Sequence, residues 1–202
     1  MWPVRRVVGL LLLAFVVALP ASAASSPAWP APTDPMNRTR LAGLVPEVNE
    51  HLQYHVHSHL DVFVDGRHVE VPAGIGIDTA DPKVQKGQLQ DGSLAYGGIT
   101  KCPRVCISPL HTHAHLGVLH TETSKRTPNR LGQFFVEWGV RLDSKCVGSY
   151  CEPKTPIHIY VNGKKQTGDP RQILLRDRSE IAVVVGKPPA KIPAAWPKSA
   201  TI

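Results

Sequence analysis

Tyr54-His55-Val56-His57-Ser58-His59-Leu60-Asp61-Val62-Phe63-Val64 is the stretch that decides the fold. Apolar and polar positions alternate through it with a period of two, as in a β-strand that turns one face to a core. Val56, Leu60, Val62 and Val64 share one face with Ser58, while His55, His57, His59, Asp61 and Phe63 share the other. Asp65-Gly66 follows, a pair that accepts positive φ and favours a tight hairpin turn. His68 to Val71 then reads as the returning strand.

Downstream lies a glycine- and polar-rich loop over 73–105, then a second alternating stretch from Leu110 to His115. A turn near Gly117 leads into a strand from Val118 to Glu122. Thr127-Pro128 predicts a helix start, with proline at the first helical position. Leu131, Phe134, Phe135 and Trp138 recur at helical spacing, giving one helix of about ten residues that Gly139 stops. The last third returns to strands: Ile157 to Val161, a turn at Asn162-Gly163, a short return, Ile173 to Leu175, and Ile181 to Val185. The expectation is an α+β fold, a mixed β-sheet with one main helix. Its order resembles the β-grasp (ubiquitin-like) arrangement with 73–126 as a large insertion, an analogy of pattern that does not fix function.

The ends differ in character from the domain between them. Residues 1–23 read as a signal peptide: Arg5 and Arg6, an apolar run from Val7 to Leu19, and Ala21-Ser22-Ala23 where a peptidase would cut. Residues 24–46 form a Pro/Ala-rich, extended lead-in, 47–186 a single domain, and 187–202 a Pro-rich tail. The chain has 202 residues and a net charge of +7; losing Arg5 and Arg6 leaves 21 basic against 16 acidic residues. The basic residues are scattered, without the clustering that nucleic-acid binding requires. The expected location is therefore secreted or extracytoplasmic, with no stable membrane insertion after cleavage.

Cys102, Cys106, Cys146 and Cys151 form an even set in an oxidising compartment, which points to two disulfides among three possible pairings. A Cys106 thiolate ligand, five residues before His111, is the competing reading.

The histidines carry the functional signal. His55, His57 and His59 repeat at i, i+2 and i+4; His111, His113 and His115 repeat that spacing, and His120 follows the turn. Side chains two apart on a strand project from one face, so neutral imidazoles can converge on one ion. The candidate metal ligands are His55, His57, His59, His111, His113 and His120, with Glu122 as ligand, second contact or acid/base. His115 sits beside the turn, and Asp61 reads as a supporting or surface residue. His51, His68 and His158 read as ordinary polar positions. Imidazole-rich sites suit copper or zinc ions, and a chain with only Met1 and Met36 is no methionine-rich copper carrier. Neither His-Glu-x-x-His nor Gly-x-Ser-x-Gly occurs, so those hydrolase classes have no support.

Five segments carry a resemblance: His55-Val56-His57-Ser58-His59-Leu60, Pro72-Ala73-Gly74-Ile75-Gly76-Ile77, Leu110-His111-Thr112-His113, Gly117-Val118-Leu119-His120-Thr121-Glu122, and Leu131-Gly132-Gln133-Phe134-Phe135 with Trp138-Gly139. Together they resemble a family of exported bacterial and archaeal proteins of uncharacterised activity, over about residues 50–186. The resemblance implies that both histidine clusters belong to one site. Ala114 departs from it, standing where the family carries an acidic residue. Three functions follow as expectations: metal buffering or delivery, a three-histidine metalloenzyme using Glu122, or a metal-independent interaction module.

Overall fold

The computed structural model describes residues 28–198 and 200; the signal-peptide reading falls outside them. The elements run α1 (Pro35–Leu41), β1 (Tyr54–Val64), β2 (Arg67–Val69), β3 (Gln85–Gln88), β4 (Leu94–Gly97), β5 (Leu110–His111), β6 (Val118–Thr123), α2 (Leu131–Trp138), β7 (Cys146–Val147), β8 (Tyr150–Cys151), β9 (Ile157–Val161), β10 (Lys164–Lys165), a 3-10 turn (Pro170–Gln172) and β11 (Ser179–Val185). The fold is α+β. Its main sheet has the order β10-β9-β11-β1-β6-β5, with β2 also paired to β1, and two small hairpins stand apart.

β1 is the strand that the alternation calls for, and it lies in the interior of the sheet. On one edge it pairs in parallel with β11 from Ser58 to Val64. On the other it pairs antiparallel with β6 over its first half and β2 over its last three residues. Leu60, Val62 and Val64 face the main core, which also takes Phe134, Phe135 and Trp138 of α2. A second, smaller core gathers Ile77, Val84, Ile99 and Ile107 around the Cys102–Cys106 disulfide.

Three local expectations change. The helix begins at Leu131 rather than near Pro128, because Arg130 makes a strand-like bridge to Leu174 and the Leu131 N–H donates to Ile173 O. Gln133 then caps the helix by accepting from the Arg130 N–H at 2.9 Å, and Gly139 ends it at φ 74° as expected. The lead-in is not extended throughout: Pro35–Leu41 is a helix beginning with proline. Trp29 and Thr39 of that segment pack on Trp138 and Glu137 of α2. The strand expected from Leu110 to His115 stops after His111. There the chain is drawn off the sheet, since Thr112 N–H donates to Ile75 O and Thr112 Oγ1 donates to Pro72 O at 2.7 Å.

Gly117 makes the turn into β6 with φ +73°, and a Cβ there would stand 2.6 Å from Leu60 O. Gly117→Ala is therefore expected to cost about 2 kcal/mol, adding the left-handed penalty to the clash, and to lower Tm by roughly 4–8 °C. An unchanged melting temperature would refute that geometry.

Candidate metal centre

Register assembles the site. His57 stands opposite His120 across β1 and β6, and His120 opposite His111 across β6 and β5. Directly opposed residues in antiparallel strands project from one face, so these three imidazoles form a row across three strands. One step along, His55 stands opposite Glu122. His113 lies beyond the end of β5, yet its ring turns back so that its Nε2 is 3.2 Å from His111 Nε2.

Backbone carbonyls set which nitrogen of each ring is free. His111 Nδ1 donates to Ser108 O at 2.8 Å, and His113 Nδ1 to Tyr96 O at 2.5 Å. In each neutral ring the lone pair is thereby left on Nε2, as a metal ligand needs. Two such lone pairs 3.2 Å apart call for a proton or cation between them. Glu122 Oε1 completes the cluster, 3.3 Å from His120 Nδ1 and 3.8 Å from both His111 Nε2 and His113 Nε2. It also lies 3.1 Å from His55 Nε2.

Ligand atoms of His111, His113, His120 and Glu122 all fall within 4.8 Å of one another, and so do those of His55, His57 and His120. Several buried atoms here have no hydrogen-bond partner: His57 Nε2, His120 Nδ1, Glu122 Oε2 and Glu50 Oε1. Each costs about 1–3 kcal/mol if left unmet, and a cation on this side would engage them. The donor set and its unmet atoms thus fit a metal ion.

The electrostatics favour the metal-ready state. Burial, then the neighbouring His113, holds His111 well below the ordinary histidine value. Burial likewise lowers His120, with Glu122 offsetting only part. Burial and the rings of His120 and His55 bring His57 down to about 4. His113 goes the other way: burial opposes its proton, but the Glu122 carboxylate outweighs burial and raises it. Burial pushes Glu122 up, yet the contacts from His113 and His120 prevail and hold its carboxyl well below the usual range.

Burial thus biases His111 and His120 toward the neutral form, while a metal entering the group competes with any proton that Glu122 holds on His113. Affinity should fall as pH drops, by up to about tenfold per unit for that one proton. Calorimetry in two buffers is expected to show net proton release that grows as the pH is lowered. Release of about three protons per ion near neutral pH would contradict the neutral state of His111 and His120.

The structure brings His55, His57, His111, His113, His120 and Glu122 together and sets His59 apart. His59 stands opposite Val118 on β6, and on its other side opposite Glu180 of β11. Its Nδ1 is 2.8 Å from Glu180 Oε2 and its Nε2 2.9 Å from Leu116 O. With both nitrogens facing acceptors the ring suits the protonated form, and Glu180 raises it against the effect of burial. His59, Asp61 and Glu180 form their own group, with His68 Nε2 3.0 Å from Asp61. His115 contacts Ser93 and Asp91, and His51 contacts Glu47.

Glu50, 4.0 Å from His113 Nε2, was not foreseen, because the irregular stretch before β1 offers no periodicity to place it. Glu180 had a weak signal, as the charge that directly abuts the apolar run Ile181 to Val185. The cysteines pair locally as Cys102–Cys106 and Cys146–Cys151. No thiolate is left beside His111, which overturns the Cys106 ligand reading.

The class defined by fold and site is an α+β protein with two disulfides and buried histidine–glutamate clusters that could hold a metal ion. Among the described residues no helix is long and apolar enough to cross a membrane. No family model, curated protein or solved structure matches the chain.

Proposed function

We propose that this chain is an exported protein that binds a copper or zinc ion through His111, His113, His120 and Glu122, and that it buffers or delivers that metal outside the cytoplasm. The convergence of three imidazoles and one carboxylate, with two rings oriented by carbonyls, carries the reading. Three nitrogens and one oxygen suit tetrahedral zinc, and imidazole suits copper as well. Export is supported by the basic-then-apolar residues 1–23 and by the two disulfides. The likeness of the histidine strings to exported bacterial and archaeal proteins points the same way.

Two observations favour binding over catalysis. The cleft beside His111 and Glu122 has about 0 Å³ of room for a water-sized sphere, against the roughly 300–1,000 Å³ of ligand pockets. Glu122, held strongly in its ionised form, is a weak general base. It serves the site better as a ligand and as the fixed negative charge that draws a cation in.

Metal analysis of the protein purified without a histidine tag tests the proposal. Near-stoichiometric copper or zinc is the expected result. Absence of both after reconstitution would overturn it and leave the histidines a structural or pH-responsive role.

A further inference from the structure

His55 and His57 stand outside the ligand set just proposed, although they share a face with it. Their ligand atoms lie within 4.8 Å of that of His120, while His111, His113 and Glu122 meet that distance among themselves and with His120. The six side chains thus form two overlapping groups joined at His120, rather than one cage. A single ion at ligand distances of roughly 2.0–2.3 Å cannot collect both outer pairs. His57 is 7 % exposed, and its Nε2 has no hydrogen-bond partner. His120 is 8 % exposed, and its Nδ1 faces only Glu122 Oε1, at 3.3 Å. A buried, unpartnered His57 Nε2 in the same group as His55 and His120 points to a ligand on the β1 side as well.

We infer that the centre holds two transition-metal ions, the second bound by His55 and His57 with His120 shared between the ions. This inference rests on the proposed function. His120 has two ring nitrogens and can offer one to each ion only after its N–H proton leaves to solvent, a loss that flanking cations favour. The Glu122 carboxylate, 3.1 Å from His55 Nε2 and 3.3 Å from His120 Nδ1, lies against both groups and offsets the charge of two ions at close range. Because His55 is exposed, the second ion is the one solvent reaches first.

The test is titration of the metal-free full-length mature protein with zinc, followed by gel filtration and metal analysis. Wild type should retain about two ions per chain, and His57→Ala about one. His55→Ala, at a more exposed position, provides a second variant should His57→Ala fail to fold, and it should also retain about one. With copper(II), wild type at two equivalents should show the broadened or diminished paramagnetic signal of a coupled pair, and His57→Ala at one equivalent an isolated-ion signal. One ion in wild type and one in either variant would overturn the two-ion centre and leave the proposed function standing. Two ions in every protein would overturn the assignment to His55 and His57. No ion in wild type would overturn the proposed function itself.

Discussion

His111→Ala is expected to weaken the first metal ion by about 100-fold or more, with His113→Ala similar and His158→Ala within about twofold of wild type. His111 is fully buried, its Nδ1 is tied to Ser108 O, and its Nε2 faces His113 and Glu122, so no mobile neighbour can take its place. His158 lies on β9 opposite Val184, outside every candidate metal group. Competition with a chromophoric chelator at pH 7 reads the three affinities, and circular dichroism checks that each variant folds. Equal affinities across the set would sink the site assignment.

Glu137→Gln is expected to abolish a large pH dependence of stability. Glu137 is fully buried on α2, accepting from Ser108 Oγ at 2.5 Å and lying 3.1 Å from Thr39 Oγ1. Burial raises it to about 7 from an ordinary 4.5, and those two hydroxyls only partly offset the effect. Thr39 has one hydroxyl hydrogen and also lies 3.0 Å from Pro35 O, so a protonated Glu137 can donate to Thr39 while Thr39 donates to Pro35.

Between 4.5 and about 7 the folded state holds a proton that the unfolded state has lost. The stabilisation is thus complete below 4.5 and disappears as pH rises through about 7. The loss is about 3 kcal/mol. Glutamine keeps the shape and the neutral hydrogen bonds, so the variant should lose that much less than wild type on going from pH 5 to pH 8. Urea denaturation of the metal-free proteins measures the difference, and parallel pH profiles would refute a neutral Glu137. Ser108 links this carboxyl to the candidate metal centre, since its hydroxyl donates to Glu137 and its carbonyl orients His111.

What could be read from sequence was whatever repeats at short range. The two-residue period of Tyr54–Val64 marked β1 and its histidine face, and the spacing of Leu131, Phe134, Phe135 and Trp138 marked α2. Pairing partners were not readable, because hydrogen bonds between distant strands leave no local trace. Whether His57 and His111 shared a site depended on β6 lying between β1 and β5 in one particular register. The same register separates His59, identical to His57 in local pattern, by giving it Val118 and Glu180 as neighbours. Residues 73–105 looked structureless because polar side chains dominate β3, although Gln85–Gln88 pairs with Leu94–Gly97. The late start of α2 escaped notice because a distant partner, Ile173, claims the Leu131 N–H.

The parallel pairing of β1 with β11 has a consequence for how the protein is made. β1 is an interior strand, but its partner along Ser58–Val64 begins only at Ser179, near the end of the chain. Contacts this far apart in sequence form slowly, so β1 keeps an open edge until β11 has been made and docks. The ligand-bearing strands β1, β5 and β6 all precede residue 124 and exist as chain long before that edge closes. The histidine row across β1, β6 and β5 thus stands on a strand that is not closed on both edges until β11 docks.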